Sequence, residues 1–282
     1  MVSAADRAKG PARTSVWTEH RTSRGRRGSQ PAGLDRGRIV DAAVRLLDAE
    51  GLAKFSMRRL AAELDVTAMS IYWYIDTKDD LLELALDAAF GTLRLPDGTT
   101  PDGTTPGAGD SPAAGSAPAA PAAPAADTSG AWRERLRALA REYRALLVRH
   151  PWVSPLVGTY LNIGPHSMAF SLAVQQMMRD TGLPVHGQMG GVSAVFQFVY
   201  GFGTIEGHFI ARCASAGMSQ DAYFQEAMGT IAEEPQLRQY ARSSVEIMEA
   251  RGGDTVAEMR DRDFDYALEL LVAGIEAMAA RA

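Results

Sequence analysis

The stretch Phe55-Ser-Met-Arg-Arg-Leu-Ala-Ala-Glu-Leu-Asp-Val-Thr-Ala-Met-Ser-Ile-Tyr-Trp-Tyr-Ile-Asp-Thr-Lys78 reads as two short helices joined by a tight turn and followed by a third. Leu60, Ala61 and Leu64 fall on one helical face, and Val66, Ile71 and Ile75 continue the apolar surface beyond the turn. Ser56 and Thr67 stand where N-caps belong, each able to accept from an amide that the first turn leaves unpaired. The layout over residues 56–75 is that of a helix-turn-helix. Its second helix, Ala68 to Tyr74, carries Ser70, Tyr72, Trp73 and Tyr74, more polar-tipped aromatics than so short an element can bury.

Leu34-Asp-Arg-Gly-Arg-Ile-Val-Asp-Ala-Ala-Val-Arg-Leu-Leu-Asp-Ala-Glu-Gly51, then Ser56-Met-Arg-Arg-Leu-Ala-Ala-Glu-Leu64, Ser70-Ile-Tyr-Trp-Tyr74 and Lys78-Asp-Asp-Leu-Leu82 follow in order. This series resembles the N-terminal domain of the tetracycline-repressor (TetR) family of transcriptional regulators, over Leu34 to Leu95. Asp65 stands where the family usually has glycine in the turn; Asp tolerates the left-handed conformation better than most residues. The resemblance implies an all-α chain with a three-helix DNA-binding domain and a helical ligand-binding and dimerisation domain. DNA contacts carry over to Arg58, Ala68, Met69, Ser70, Tyr72, Trp73, Tyr74 and Lys78. Arg58 suits guanine, Ser70 either donates or accepts, Ala68 and Met69 suit a thymine methyl, and Tyr72 and Lys78 suit phosphates. Packing in the small core is the competing role for Trp73 and Tyr74.

Working outward, 282 residues with 46% hydrophobic content accommodate two domains. Residues 1–33 are rich in Arg, Ser and Gly and are expected to be a disordered arm, with Arg21, Arg24, Arg26 and Arg27 placed to lie in a flanking minor groove. The whole chain carries net charge −5, yet residues 1–38 hold nine basic residues against three acidic, a net +6, while the remainder is −11. An acidic body with a basic end suits a protein that touches DNA at one end. Residues 96–130, with Pro-Asp-Gly-Thr-Thr repeated and then only small residues and proline, are expected to be a disordered linker. Before it, Lys78 to Leu95 reads as an amphipathic helix capped by Thr77, with Asp79 and Asp80 in the favourable first turn.

Residues 131–282 read as successive helices, Ala131 to His150, Ser167 to Asp180, Gln188 to Ala214, Pro235 to Ala250 and Asp263 to Ala280. From the resemblance, the last helix and a long preceding one pair with their copies, giving a homodimer that reads a pseudo-palindromic double-stranded operator. The helix Lys78 to Leu95 then couples head to body. Candidate contacts to a large amphipathic effector are Trp152, Tyr160, His166, Gln175, Met178, Phe196, Gln197, Tyr200 and His208, with Asn162, Met177, Phe198 and Glu206 nearby in sequence. For each of these, core packing is the competing role.

Tetracycline repressors hold their drug's metal with a histidine shortly before a Gly-Thr pair; Leu156-Val-Gly-Thr159 has leucine at the matching place, so no metal and no cofactor are expected. Arg149-His-Pro-Trp152 and Gly-Pro-His166 are similar to relatives that control antibiotic export in producing actinobacteria. Gly201-Phe-Gly-Thr-Ile-Glu-Gly207 fails as a dinucleotide fingerprint because its last glycine comes one residue late and no strand follows; glycines four apart permit close helix packing instead. Glu206 and His208 point to different sides of a helix and form no metal or catalytic cluster with Cys213. No enzyme is expected.

The lone cysteine, the charged N-terminus and the absence of about 20 consecutive apolar residues imply a cytoplasmic chain without a membrane partner. The expected function is a repressor released from its operator by a small amphipathic molecule such as an antibiotic, controlling an exporter or biosynthetic gene. The alternatives are an activator, a corepressor-dependent regulator, or a helical small-molecule binding protein without DNA function.

Overall fold

Four N-caps organise the first part of the chain in the computed structural model, which describes residues 15–18, 34–96, 130–236 and 250–282. Asp35 caps α1 (Arg36–Glu50), Ser56 caps α2 (Met57–Glu63), Thr67 caps α3 (Ala68–Tyr72) and Thr77 caps α4 (Lys78–Phe90). In each, the side-chain oxygen accepts from the amide three residues on, which fixes where the helix begins. Asp65 adopts φ 53°, the left-handed turn between α2 and α3. Leu47, Leu60, Ile71 and Leu81 meet in the core beneath the turn, with essentially no exposure. Helix α3 stops at Tyr72, with Trp73 as its C-cap, and α4 stops at Phe90 rather than Leu95 because Gly91 follows and the Thr92 hydroxyl bonds back to the Ala89 carbonyl.

The body comprises α5 (Ala131–Arg149), α6 (Val153–Val157), α7 (Pro165–Arg179), α8 (Val185–Ser215), α9 (Gln220–Glu233) and α10 (Val256–Ala279). Among the described residues there is no strand. Helices α6 and α9 are additions to the sequence expectation, and α10 starts earlier than expected because Thr255 caps it and Val256 is buried. The expected helix Pro235 to Ala250 and the expected arm and linker fall almost wholly outside the described residues. No described helix is long and apolar enough to cross a membrane.

The tightest packing in the body joins α5 to α8. Gly203 and Gly207 make it possible: a Cβ on Gly203 would lie 3.1 Å from the Leu147 side chain, and one on Gly207 would lie 3.0 Å from the Leu147 carbonyl oxygen. The glycines of the failed fingerprint therefore serve backbone approach between helices. A polar hub crosses the same seam. The Arg144 guanidinium of α5 is held bidentately by Glu206 of α8 at 2.6 and 2.8 Å and bonds Asp261 of α10 at 2.8 Å. It also lies over the rings of Phe202 and Phe264, at 5.1 and 4.7 Å from their centroids. Burial works against this guanidinium's charge, and the two carboxylates outweigh it, so its pKa is raised.

Removing one member of such a pair strands the other in a poorly solvated place. Arg144→Ala is expected to lower unfolding free energy by about 2–3 kcal/mol, below the range for fully buried pairs because Asp261 opens to solvent. Urea denaturation of the variant beside the parent checks it; an unchanged midpoint would count against the hub.

Candidate functional site

The head presents α2 and α3 outward. Met69 is 69% exposed, Trp73 53% and Tyr72 40%, a density of open apolar surface that core packing does not explain. Arg58 is exposed on α2, while its neighbour Arg59 is held by Glu50. Ser70 is half-buried and engaged with the Thr67 hydroxyl at 2.9 Å, and Ala68 packs against the core. Tyr74 points inward, its hydroxyl buried without a hydrogen-bond partner, so core packing claims it. Lys78, expected on a phosphate, donates its ammonium to the Phe55 carbonyl at 2.8 Å and sits over the Phe55 ring, tying the start of α4 to the loop before α2. Of the expected DNA contacts, Arg58, Met69, Tyr72 and Trp73 are the exposed ones.

Helix α4 packs on α1 in the head and on α6 and α7 in the body. Two polar ties fix that double attachment. Asp87, 3% exposed, accepts from the amides of Ser167 at 2.9 Å and His166 at 3.4 Å. These amides open α7, which has Pro165 at its start and no side-chain cap of its own. A carboxylate from another helix therefore supplies the cap, favoured also by the partial positive charge at that end. Gly164 lets it come so near: a Cβ there would lie 2.3 Å from the Asp87 carboxyl carbon. In the second tie, one oxygen of Asp48 on α1 takes His150 Nδ1 at 2.6 Å and Trp152 Nε1–H at 2.7 Å.

Four rings gather where α4, α5, α7 and α8 meet. Phe90, Tyr143, Phe170 and Phe196 lie in a closed circuit with centroids 5.2–6.2 Å apart. Burial, and secondarily Tyr200, pushes the Tyr143 phenol well above its usual range, so it stays a neutral donor. Tyr200 donates to the Ser154 carbonyl at 2.9 Å.

Of the expected effector contacts, Phe196 and Tyr200 belong to this assembly; Phe90, Tyr143 and Phe170 were missed by sequence reasoning. Trp152, expected to face an effector, donates its indole N–H to Asp48. Met178 is buried against Gly191, as Met177 is in the core, and His166 packs on Gly91. Gln175, Gln197 and His208 are exposed, and Tyr160 is half-buried against the core. The Asn162 amide bonds the Val157 carbonyl, Phe198 stacks on Phe264, and Glu206 belongs to the Arg144 hub. A separate cavity of about 340 Å³ lies between α8, α9 and α10, lined by Ile210, Cys213, Met218 and Asp221 among others. Among the described residues no group of three or more His, Cys, Asp or Glu side chains is placed to hold a metal ion.

Because the Gly164 hydrogen faces Asp87, the two positions should be energetically coupled. Gly164→Ala is expected to cost about 1–3 kcal/mol by overpacking, and Asp87→Ala about 1–2 kcal/mol by uncapping α7. The double variant should lose clearly less than the sum, since shortening Asp87 makes room for the methyl. Additive losses in denaturant melts would contradict the tie.

Two families match the chain. One, described as "Bacterial regulatory proteins, tetR family", matches residues 39–85; the other, "Tetracyclin repressor-like, C-terminal domain", matches residues 123–279. An HTH-type transcriptional regulator of Saccharopolyspora erythraea is 30% identical over 246 residues, 87% of this chain and 86% of the relative. The HTH-type transcriptional repressor DrrR1 of Streptomyces coeruleorubidus is 30% identical over 260 residues, 90% and 82% of the two chains. Among solved structures, apo ActR from Streptomyces coelicolor superposes with a TM-score of 0.60 at 24% identity, covering 89% of this chain and 99% of that one. That likeness is one of fold. With an exposed helix-turn-helix at one end, a helical body at the other and both families matched in that order, the chain belongs to the TetR family of DNA-binding transcriptional regulators.

Proposed function

We propose that this regulator is a homodimeric repressor that leaves its operator when a flat aromatic molecule binds among Phe90, Tyr143, Phe170, Phe196 and Tyr200. The observation that carries this is the position of Phe170: it lies on α7, the helix whose first amides Asp87 caps from α4. Opening the ring circuit to admit a ligand displaces α7 against α4, and α4 packs on α1 of the head. A ligand favouring the displaced arrangement shifts the population away from the one that fits DNA. Tyr143 and Tyr200 add polar groups that would orient such a molecule. Support by analogy comes from DrrR1, named a repressor, and from ActR, whose fold this chain shares and which has been crystallised with actinorhodin. A gene for export or synthesis of the effector fits as the target.

Titration against duplexes tiled across the chain's own upstream intergenic region, at several salt concentrations and with and without extracts of antibiotic-producing actinobacteria, tests this reading. Expected are salt-sensitive binding to one duplex, its loss on adding an active extract, and retention of DNA binding with loss of release in Phe170→Ala. Extract-insensitive binding would argue against the ring site as an effector site.

The dimer rests on two exposed stripes. On α8 they are Val185, Met189, Gln197 and Ile205, one turn or two apart; on α10 they are Tyr266, Leu270 and Met278. Ile205 is 71% exposed and Tyr266 70%, which one isolated chain has no reason to tolerate. A four-helix packing with a second copy covers both. This assigns Gln197, and His208 on the same exposed side, to the subunit interface in place of the effector. Leu270→Glu is expected to give monomers in sedimentation and operator binding weakened at least tenfold; a dimer of undiminished affinity would refute the interface.

A further inference from the structure

Four residues far from any other described segment in sequence lie on the head. Ser15 and Glu83 are 4% and 3% exposed, and Val16 and Trp17 pack half-buried against the core. The Ser15 hydroxyl donates to one oxygen of the Glu83 carboxylate at 2.5 Å, and the Val16 amide donates to the other at 3.0 Å. The segment is turned so that both donors face the same way: Trp17 N–H donates to Ser15 Oγ at 3.3 Å, and the Thr18 amide and hydroxyl donate to the Ser15 carbonyl at 3.1 and 3.2 Å. Hydroxyl and amide thus chelate a carboxylate, while the two following side chains cover it.

Glu83 sits midway along α4, between its Thr77 cap and Asp87. The Arg58–Trp73 surface, the ring circuit and the Asp87 tie do not use it. Without the peptide, Glu83 loses both donors and the side chains that cover it, so water takes their place and α4 loses a contact on that face. The family match to the head begins at residue 39, so Glu83 lies within it and the peptide does not. Fifteen residues, 19–33, join the peptide to the head. A tether of that length gives an effective concentration of roughly millimolar, enough for a weak dock to be occupied most of the time.

We propose that the surface of α4 around Glu83 is a peptide-docking site, that its occupant is this chain's own Ser15–Thr18, and that occupancy sets how firmly α4 is held between head and body. The recognised chemistry is a serine followed by an apolar and an aromatic residue. With the dock empty, α4 samples more orientations, and DNA affinity falls by the fraction of time both heads of a dimer are out of position.

The test uses full-length protein. Hydrogen exchange of the amides of residues 78–90 is compared among the parent, Ser15→Ala, Ser15→Asp and Glu83→Gln, and a synthetic peptide of residues 11–20 is added at millimolar concentration to Ser15→Asp. Exchange is expected to quicken about tenfold in Ser15→Ala and further in Ser15→Asp, where two carboxylates meet, and the added peptide should restore protection. Glu83→Gln combined with Ser15→Ala should add little to either alone. Parent-like exchange in Ser15→Asp, or no effect of the peptide, overturns the proposal. On an operator duplex, a part that rests on the repressor reading, Ser15→Ala should weaken binding about threefold to tenfold with the salt slope unchanged, because no cation has been removed. A changed slope would mean that the segment acts on DNA directly. The exchange result stands whether or not an operator is found.

Discussion

The carboxylate of Asp87 governs how the two halves of this chain are joined. It is nearly inaccessible to solvent, and its charge is tolerated because the opening amides of α7 point at it and the end of that helix carries partial positive charge. The tie works in both directions. Helix α7 has no cap of its own, and α4 has no better partner for that side chain. Gly164 completes it by leaving empty the space a side chain would need. Together with Asp48, which holds His150 and Trp152, it gives two points of attachment, one through α4 and one through α1. A body held at two points can turn about the line joining them, and either bond alone would leave the head poorly oriented.

Stiffness is unequally distributed around the ring circuit. On one side α5 and α8 are locked by glycine-mediated approach and by the Arg144 hub. On the other, α7 is fixed chiefly by its first turn and by the packing of Val174, Met177 and Met178, the last against Gly191 of α8. Of the helices that contribute rings, α7 therefore has the least to lose by moving. Phe170 is one turn from the capped amides, so a displacement there reaches Asp87 with little attenuation. Packed interfaces tend to have discrete alternatives rather than gradual ones, and that favours a switch over a graded response.

The head was legible in the sequence because its information is local. Caps at Ser56, Thr67 and Thr77 act within three residues, apolar spacing fixes the buried face, and the left-handed turn at Asp65 follows from a short polar side chain in a tight connection. The body was legible only as a series of helices. Helix α6 is five residues long, too short for periodicity, and α9 buries no residue fully. The partners of Trp152 and Lys78 were hidden for a shared reason: each has a polar tip whose partner is remote, Asp48 lying 104 residues away and the Phe55 carbonyl 23. Phe90, Tyr143 and Phe170 come from three helices that meet only in the folded chain, and no spacing within one helix could announce that. Ser15 was hidden in the same way, in a stretch whose composition spoke only of arginine and glycine.

Charge bears on what the head of a DNA-binding regulator can offer its partner. Residues 34–96 carry eight basic and eleven acidic side chains, so the head itself is not an attractive surface for a polyanion. Three of those acids, Asp80, Glu83 and Asp87, are buried in α4, and Glu50 is occupied by Arg59, which lowers the exposed negative charge but also removes one cation. Lys78 is engaged with Phe55. Apart from Arg58, what the open face of α2 and α3 offers is aromatic and apolar, suited to base edges and methyl groups more than to phosphates. The densest cationic run in the sequence is Arg21, Arg24, Arg26 and Arg27, whose charge is of the sign that attracts a polyanion at long range.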